Sequence, residues 1–385
     1  MRLNSVICKH MNIGFDAKRA FHNKTGLGNY SRSFIKALID EKSDNQLYLF
    51  TPEIGDLGQE FLNKHDVKIV KPTKKIHQFL PTYWRSHGLL DEIKRDKIQI
   101  FHGLSNELPV GIERLDIKKV VTIHDLIFLR FPELYPPIDR RIYERKFKSA
   151  VVRADKIFAC SQQTSTDIQE FYGIDESKIE VVYQDCGIHF RKKHSDEEKN
   201  SFLLKHQLPQ KFILSVGTLE KRKNQLLLLK AFHEANLQDN SLIFLGKKAD
   251  LYSDMLQYVR LNGLQNKVFF LDNIEEEELP ILYQSAFAFA YISKFEGFGI
   301  PILESLRSGV PVLSSKQSSL PEVAGNAALY SDFNDAETLI SNLKEISGNP
   351  ELRLKLINLG YAQASKFDSD KIAKQVISNY EGLLF

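Results

Sequence analysis

Residues 287–313, FAFAYISKFEGFGIPILESLRSGVPVL, read as strand, loop, helix and strand. The runs 287–291 and 311–313 are short, apolar and β-rich, and the helix between them is predicted over 299–308. Pro301 falls in its first turn, where a missing N–H costs little. Two short strands joined by a helix make one βαβ crossover, the repeating unit of a parallel sheet. The loop carries the polar chemistry. Glu296 and Glu304 flank the glycines Gly297 and Gly299. In an unbroken helix, eight residues would part the carboxylates by roughly 12 Å. A bend at the glycines lets both carboxylates and several backbone amides aim at one ligand. Amides at a helix start suit oxyanions and carboxylates accept from hydroxyls, so a phosphorylated polyhydroxyl ligand fits. The plainer reading makes Glu304 a helix-start acid favoured by the dipole and Glu296 a solvated loop residue.

The same rhythm extends to both ends. Strands are predicted at 11–15, 46–51, 67–71, 99–102, 119–123, 155–159 and 179–183, then at 211–216, 241–245, 268–271, 287–291, 311–313 and 328–330. Helices are predicted near 28–41, 84–95, 139–152, 161–172, 223–236, 250–262, 275–284, 299–308, 335–347 and 350–365. Each half is therefore an α/β, Rossmann-like domain. The 385 residues exceed what a single core of roughly 250 to 300 usually holds. Residues 184–210 lose strand character and gather charge, which places the boundary near 190: domains 1–190 and 191–367. The remaining 368–385 form an amphipathic helix that need not belong to the second sheet, and residues 1–10 read as an extension without fold signal.

Hydrophobic content of 43% with 26% charged residues describes a globular chain. Three cysteines without paired spacing suggest neither a disulfide framework nor zinc, and a reducing compartment. A net charge of +3 gives no reason to expect nucleic acid. In 139–153, DRRIYERKFKSAVVR, basic residues interleave with Ile142, Tyr143, Phe147, Val151 and Val152. Two readings stay open: a solvated face over a core-facing stripe, or a helix resting on an anionic membrane surface. No run is long enough to span a bilayer, so the expected place is the cytoplasm, with its membrane face reachable through 139–153.

Ligands of open parallel sheets bind beyond the carboxyl ends of strands. After strand 211–216, Gly217 and Thr218 turn into Arg222 and Lys223, just before a helix. Cations ordinarily avoid that end, and a diphosphate would justify them. Gly26 and Gly28 precede a helix in TGLGNYSR, although one G-x-G pair is a weak dinucleotide signal. His124 follows strand 119–123, and His102 and Asn106 hold weaker positions of the same kind. Asp368-Ser369-Asp370 spells a D-x-D pattern found in metal-dependent sugar transferases, but at a helix start it reads as capping. No catalytic metal is expected.

Together IGFDAKRAFHNKTGLGNYSR, IFHGLSNELP, VVTIHDLIFLRFPE, ILSVGTLEKRKN and EGFGIPILE, in this order, resemble family 4 of the GT-B glycosyltransferases. Those enzymes have two facing Rossmann-like domains with a cleft between them. The resemblance implies a retaining transfer of a hexosyl unit from a nucleotide-diphosphate sugar to an acceptor hydroxyl, without a metal or other cofactor. It leans towards mannosyl transfer in polysaccharide or glycolipid assembly, onto a glycan or lipid-linked glycan. It implies that Glu304 holds the donor ribose, that Arg222 and Lys223 hold the diphosphate, and that Glu296 holds the sugar with the amides of Gly297, Phe298 and Gly299. Gly28 would approach the diphosphate, His124 would line the reaction centre, and the base would lie near Asn273 and Ile274. It implies also that the terminal helix returns to the first domain. Thr218 departs from the many members with Arg there, which shifts phosphate binding to Arg222 and Lys223. A non-catalytic sugar-nucleotide binder and a nucleotide-sugar epimerase remain the alternatives.

Overall fold

The computed structural model describes residues 10–65, 67–272 and 274–385; the expected extension lies almost wholly, and Asn273 wholly, outside these. The chain forms two compact units, residues 1–184 with 369–385, and residues 185–368. The division falls six residues before the expected 190. Asp185 is the reason, since it pairs with Arg191 at 2.6 Å and Arg307 at 3.1 Å and so fixes the chain to the second unit.

In the first unit, β1 (Asn12–Asp16), β2 (Gln46–Phe50), β3 (Lys68–Val70), β4 (Ile100–Gly103), β5 (Lys118–Ile123), β6 (Lys156–Ala159) and β7 (Ile179–Val181) form one sheet in the order β3-β2-β1-β4-β5-β6-β7. In the second, β8 (Phe212–Val216), β9 (Ser241–Leu245), β10 (Val268–Leu271), β11 (Ala288–Tyr291), β12 (Val312–Ser315) and β13 (Ala328–Ser331) are ordered β10-β9-β8-β11-β12-β13. All pairings are parallel, with β1 paired to β4 from Ile13 to Ile100 and β8 to β11 from Ile213 to Ala288. Strand order reverses at β1/β4 and at β8/β11. Helices leave for opposite faces there, and a crevice opens beyond the carboxyl ends.

Buried Phe15, Phe34, Leu49 and Phe158 fill one face of the first sheet. The helix Ser369–Leu384 adds Ile372, Ala373, Val376 and Tyr380 to that cluster and packs against the helix Gly26–Asp40. Trp84, Phe101, Val121 and Ile157 fill the other face, and a cluster including Leu228, Phe232, Phe244 and Leu343 covers one face of the second sheet.

Several expectations change. The helix expected over 84–95 divides into a π-helical turn, Trp84–Gly88, and the helix Leu90–Arg95. Residues 184–210 contain the helix Asp196–Lys205, started by a capping box in which Ser195 and Glu198 each accept the other's amide. The expected apolar stripe of 139–153 divides as well. Tyr143 and Phe147 lie against Phe128 and Val151 is buried, whereas Ile138, Ile142 and Val152 stand exposed. Asp368 of the D-x-D pattern holds arginines, Arg307 at 2.8 Å and Arg191 at 3.1 Å. Among the described residues no cluster of metal-ligating side chains occurs, and no helix is long and apolar enough to cross a membrane.

Candidate active site

At the β8/β11 crevice, Gly217 follows β8 at φ +140°, a conformation that favours glycine, and a Cβ there would lie 2.9 Å from Lys223 Cδ. The missing side chain leaves the lysine stem its place. Lys221–Lys223 form a 3₁₀ turn that ends on Asn224 at φ +58°. Across the crevice, the chain leaving β11 is fastened to this turn, because the amide of Lys294 donates to the Arg222 carbonyl at 2.7 Å.

These constraints bring Glu296 to the cations. Its Oε1 lies 2.9 Å from Lys223 Nζ and 2.8 Å from Arg222 Nη1, and it also accepts from Tyr291 Oη and Ser293 Oγ, each at 2.8 Å. Oε2 takes part in none of these contacts. Burial pushes the Glu296 carboxyl up, but Lys223 and Arg222 outweigh it and the group sits at about 2. Lys223 also donates to Tyr291 Oη at 2.7 Å. Arg222 reaches the Phe295 carbonyl at 2.5 Å and Glu220 at 2.6 Å.

The bend has its own support. The Glu296 amide donates to Ser318 Oγ at 3.0 Å, while Ser319 Oγ donates to the carbonyls of Glu296 and Phe298. Gly299 caps the helix Ile300–Arg307 at φ +106°, where a Cβ would stand 2.8 Å from Leu320 Cδ2. Glu304, one turn inside, is half-buried and accepts from Tyr283 Oη at 2.7 Å. Burial raises its carboxyl to about 7; the Tyr283 hydrogen bond opposes this and Glu276 adds to it. The two acids, one in the loop and one in the helix that follows it, thus have opposite electrostatics. A ladder of rings joins their partners, Tyr283 to Phe289 at 5.3 Å and Phe289 to Tyr291 at 5.9 Å. Thr218 is half-buried, and its carbonyl accepts from Gln225. Ile274 is half-buried, two residues before Glu276.

In the first unit, His124 is buried at the end of β5. Its Nε2 donates to the Leu104 carbonyl at 2.9 Å, its amide donates to Asn106 Oδ1 at 2.9 Å, and the Tyr30 ring meets it edge-on at 4.5 Å. Desolvation holds it down at about 4, so the imidazole is neutral near pH 7 with Nδ1 as the acceptor. Asn106 therefore positions His124. His102 is wholly buried between Tyr380 Oη at 2.6 Å and Thr122 Oγ1 at 2.8 Å, which removes it as a substrate contact. Gly28 donates its amide to the Thr25 carbonyl, and a Cβ would stand 1.8 Å from the Asn23 carbonyl oxygen. Its glycine character serves the turn. A Cβ on Gly26 would meet nothing within 4 Å.

The strand-end rule located Arg222, Lys223, Glu296 and His124, but Tyr291, Ser293 and Tyr283 were missed. Tyr291 ends β11 itself, a position that could have drawn notice. Tyr283 lies on a helix with no sequence signal.

The model described as Glycosyl transferases group 1 matches residues 196–363, and the model described as Glycosyltransferase Family 4 matches residues 24–184. O-antigen chain mannosyltransferase B of Escherichia coli is 29% identical over 96% of this chain and 100% of its own length. O-antigen chain mannosyltransferase RfbU of Salmonella typhimurium is 28% identical over 68% of this chain and 69% of its own. The Anabaena HepE structure in complex with UDP and glucose superposes with a TM-score of 0.74 at 17% identity, covering 97% of this chain and 100% of that one. With both halves matched in order and two parallel α/β sheets beneath them, the chain belongs to the family 4, group 1 glycosyltransferases of the GT-B fold.

Proposed function

We propose that this glycosyltransferase moves a hexosyl unit, with retention of configuration, from a nucleotide-diphosphate sugar to an acceptor hydroxyl in polysaccharide assembly. The mannosyl transferases among its relatives favour mannose as the sugar. The observation that carries the reading is the cluster of Lys223, Arg222 and Glu296 in the β8/β11 crevice.

Of the three protons on Lys223 Nζ, two go to Tyr291 and Glu296, and the third is left for a phosphate oxygen. As the bond to the diphosphate breaks, negative charge grows beside two fixed cations held in a half-buried site, where they act more strongly than in water. Glu296 Oε2 accepts a sugar hydroxyl. A carboxylate titrating at about 2 and clamped by cations is a poor nucleophile, so Glu296 binds and does not attack. Glu304 accepts from the ribose hydroxyls, with the base beside Ile274. His124 Nδ1 accepts from a hydroxyl at the reaction centre. The leaving diphosphate takes the acceptor proton.

Charge is met here by side chains, so transfer is expected to survive chelation of divalent metals. Peripheral contact with an anionic membrane surface uses the exposed Ile138, Ile142 and Val152 with Arg141; co-sedimentation with anionic but not neutral vesicles tests it. The function itself is tested by incubating the protein with GDP-mannose, UDP-glucose and UDP-galactose and an isolated lipid-linked glycan. Acceptor-dependent release of nucleoside diphosphate supports the reading, and its absence with every donor contradicts it.

A further inference from the structure

Arg222 serves two carboxylates at once. Its Nη1 lies 2.8 Å from Glu296 Oε1 and donates to the Phe295 carbonyl at 2.5 Å, which commits both protons of that nitrogen to the loop after β11. Its Nη2 faces the other way and donates to Glu220 Oε1 at 2.6 Å. The four charges in contact, Arg222 and Lys223 against Glu220 and Glu296, therefore sum to zero. A phosphate entering a neutral cluster meets carboxylates of its own sign as well as cations, and like charges oppose one another. Full use of Arg222 requires one acid to withdraw.

The two acids differ in what holds them. Glu296 is buried, and its Oε1 gathers Lys223, Arg222, Tyr291 and Ser293, while Ser318 and Ser319 fasten its amide and carbonyl. It has no freedom to leave. The Glu220 side chain is 33% exposed, and Arg222 Nη2 is its one hydrogen-bond or ion-pair partner among the described residues. Its backbone is extended, at φ −132° and ψ 153°, and its carbonyl accepts the Lys223 amide at 3.0 Å to close the turn. That turn is independent of the carboxylate, so rotation about side-chain bonds alone carries the acid into solvent. A single ion pair of this exposure is held weakly.

We propose that Glu220 is a stand-in for the donor's diphosphate: its carboxylate pairs with Arg222 Nη2 between turnovers, yields that nitrogen to a phosphate oxygen when the donor binds, and takes it back as the nucleoside diphosphate leaves. The proposal rests on the transferase reading above and adds to it a residue that sets affinity for the diphosphate. Arg222, a half-buried cation, is thereby paired throughout the cycle and keeps its place. The product is held less tightly than two cations alone would hold it.

The test is calorimetric titration of the wild type, Glu220→Gln and Glu220→Ala with GDP, UDP and inorganic diphosphate at one fixed ionic strength, with melting temperatures to check the fold. Glutamine keeps an oxygen that accepts from Arg222 but loses the charge; alanine loses both. Whichever nucleotide the wild type binds is expected to bind each variant at least about fivefold more tightly. Inorganic diphosphate is expected to gain by the same factor, because the effect falls on the phosphates. A Glu220 that merely orients Arg222 would give the opposite sign, with weaker binding in Glu220→Ala and wild-type binding in Glu220→Gln. Unchanged or weaker nucleotide binding in either variant would overturn the proposal and leave the transferase reading standing. Binding of neither nucleotide by any of the three proteins would overturn both.

Discussion

Lys223 Nζ stands 2.9 Å from Glu296 Oε1, although 73 residues separate them in the chain. The contact spans the ends of β8 and β11, and it gives one carboxylate a fixed charge beside two fixed cations. Disturbing either partner therefore disturbs the charge environment of the other.

Gly217→Ala tests how the lysine is placed. The new methyl would press on the Lys223 stem at 2.9 Å, at a φ of +140° that side chains rarely adopt. A loss of about 1–3 kcal/mol in stability is expected, together with at least a tenfold fall in kcat/KM. Chemical denaturation and steady-state kinetics would check it; wild-type kinetics in this variant would show that Lys223 does not depend on the turn.

Glu296 in the loop and Glu304 in the helix after it predict opposite pH dependences. Glu296, held at about 2 against an ordinary 4.5, stabilises the fold above pH 4.5, and that contribution is lost as pH falls towards 2. Glu304, raised to about 7, binds a proton in the native state that the unfolded chain has released. Its contribution is full below pH 4.5 and is lost as pH rises through 7, by about 3 kcal/mol in all. Glu304→Gln should flatten the stability profile between pH 4.5 and 7, as thermal melts would show.

With Glu304 in the proposed ribose-binding role, its ionisation should also set donor affinity. A nucleotide-diphosphate sugar carries no group on its diphosphate that titrates between pH 6 and 8, so a change of affinity over that range reports the protein. Affinity for the donor is expected to rise severalfold from pH 6 to pH 8 in the wild type and to stay level in Glu304→Gln. A level profile in the wild type would remove Glu304 from the ribose site.

The terminal helix is joined to the first sheet by polar contacts as well as apolar ones. Tyr380 Oη meets His102 Nδ1 at 2.6 Å in a fully buried setting, and His102 continues to Thr122 and Tyr30. Tyr380→Phe leaves a buried ring nitrogen unpaired and should cost about 1–3 kcal/mol. The readout is unfolding free energy with unchanged KM for the donor. An unchanged stability would mean that the Tyr380–His102 hydrogen bond adds nothing to the hold on the helix.

Much of the fold was legible because parallel strands covered on both faces appear as near-continuous apolar runs, such as FILSV at β8 or AFAY at β11. The short helices Lys18–His22, Asp56–Lys64 and Leu320–Ala324 were not read, since about one and a half to two and a half turns scarcely establish a period. The capping box Ser195/Glu198 was present in the sequence and was passed over amid the charge around it. Arg222, Lys223 and Glu296 were found because each follows a strand. That Glu296 would bind those same cations was not legible, because the contact depends on strand order and not on spacing.

The most direct measurement is donor binding and transfer by Lys223→Ala beside the wild type. Calorimetry with a nucleotide-diphosphate sugar, followed by single-turnover transfer to an isolated acceptor, separates the two. With its fold intact by thermal melting, the variant is expected to lose at least about 10²-fold in transfer rate and to bind the donor more weakly. Transfer and binding at wild-type levels would contradict the placing of the donor diphosphate beside Lys223.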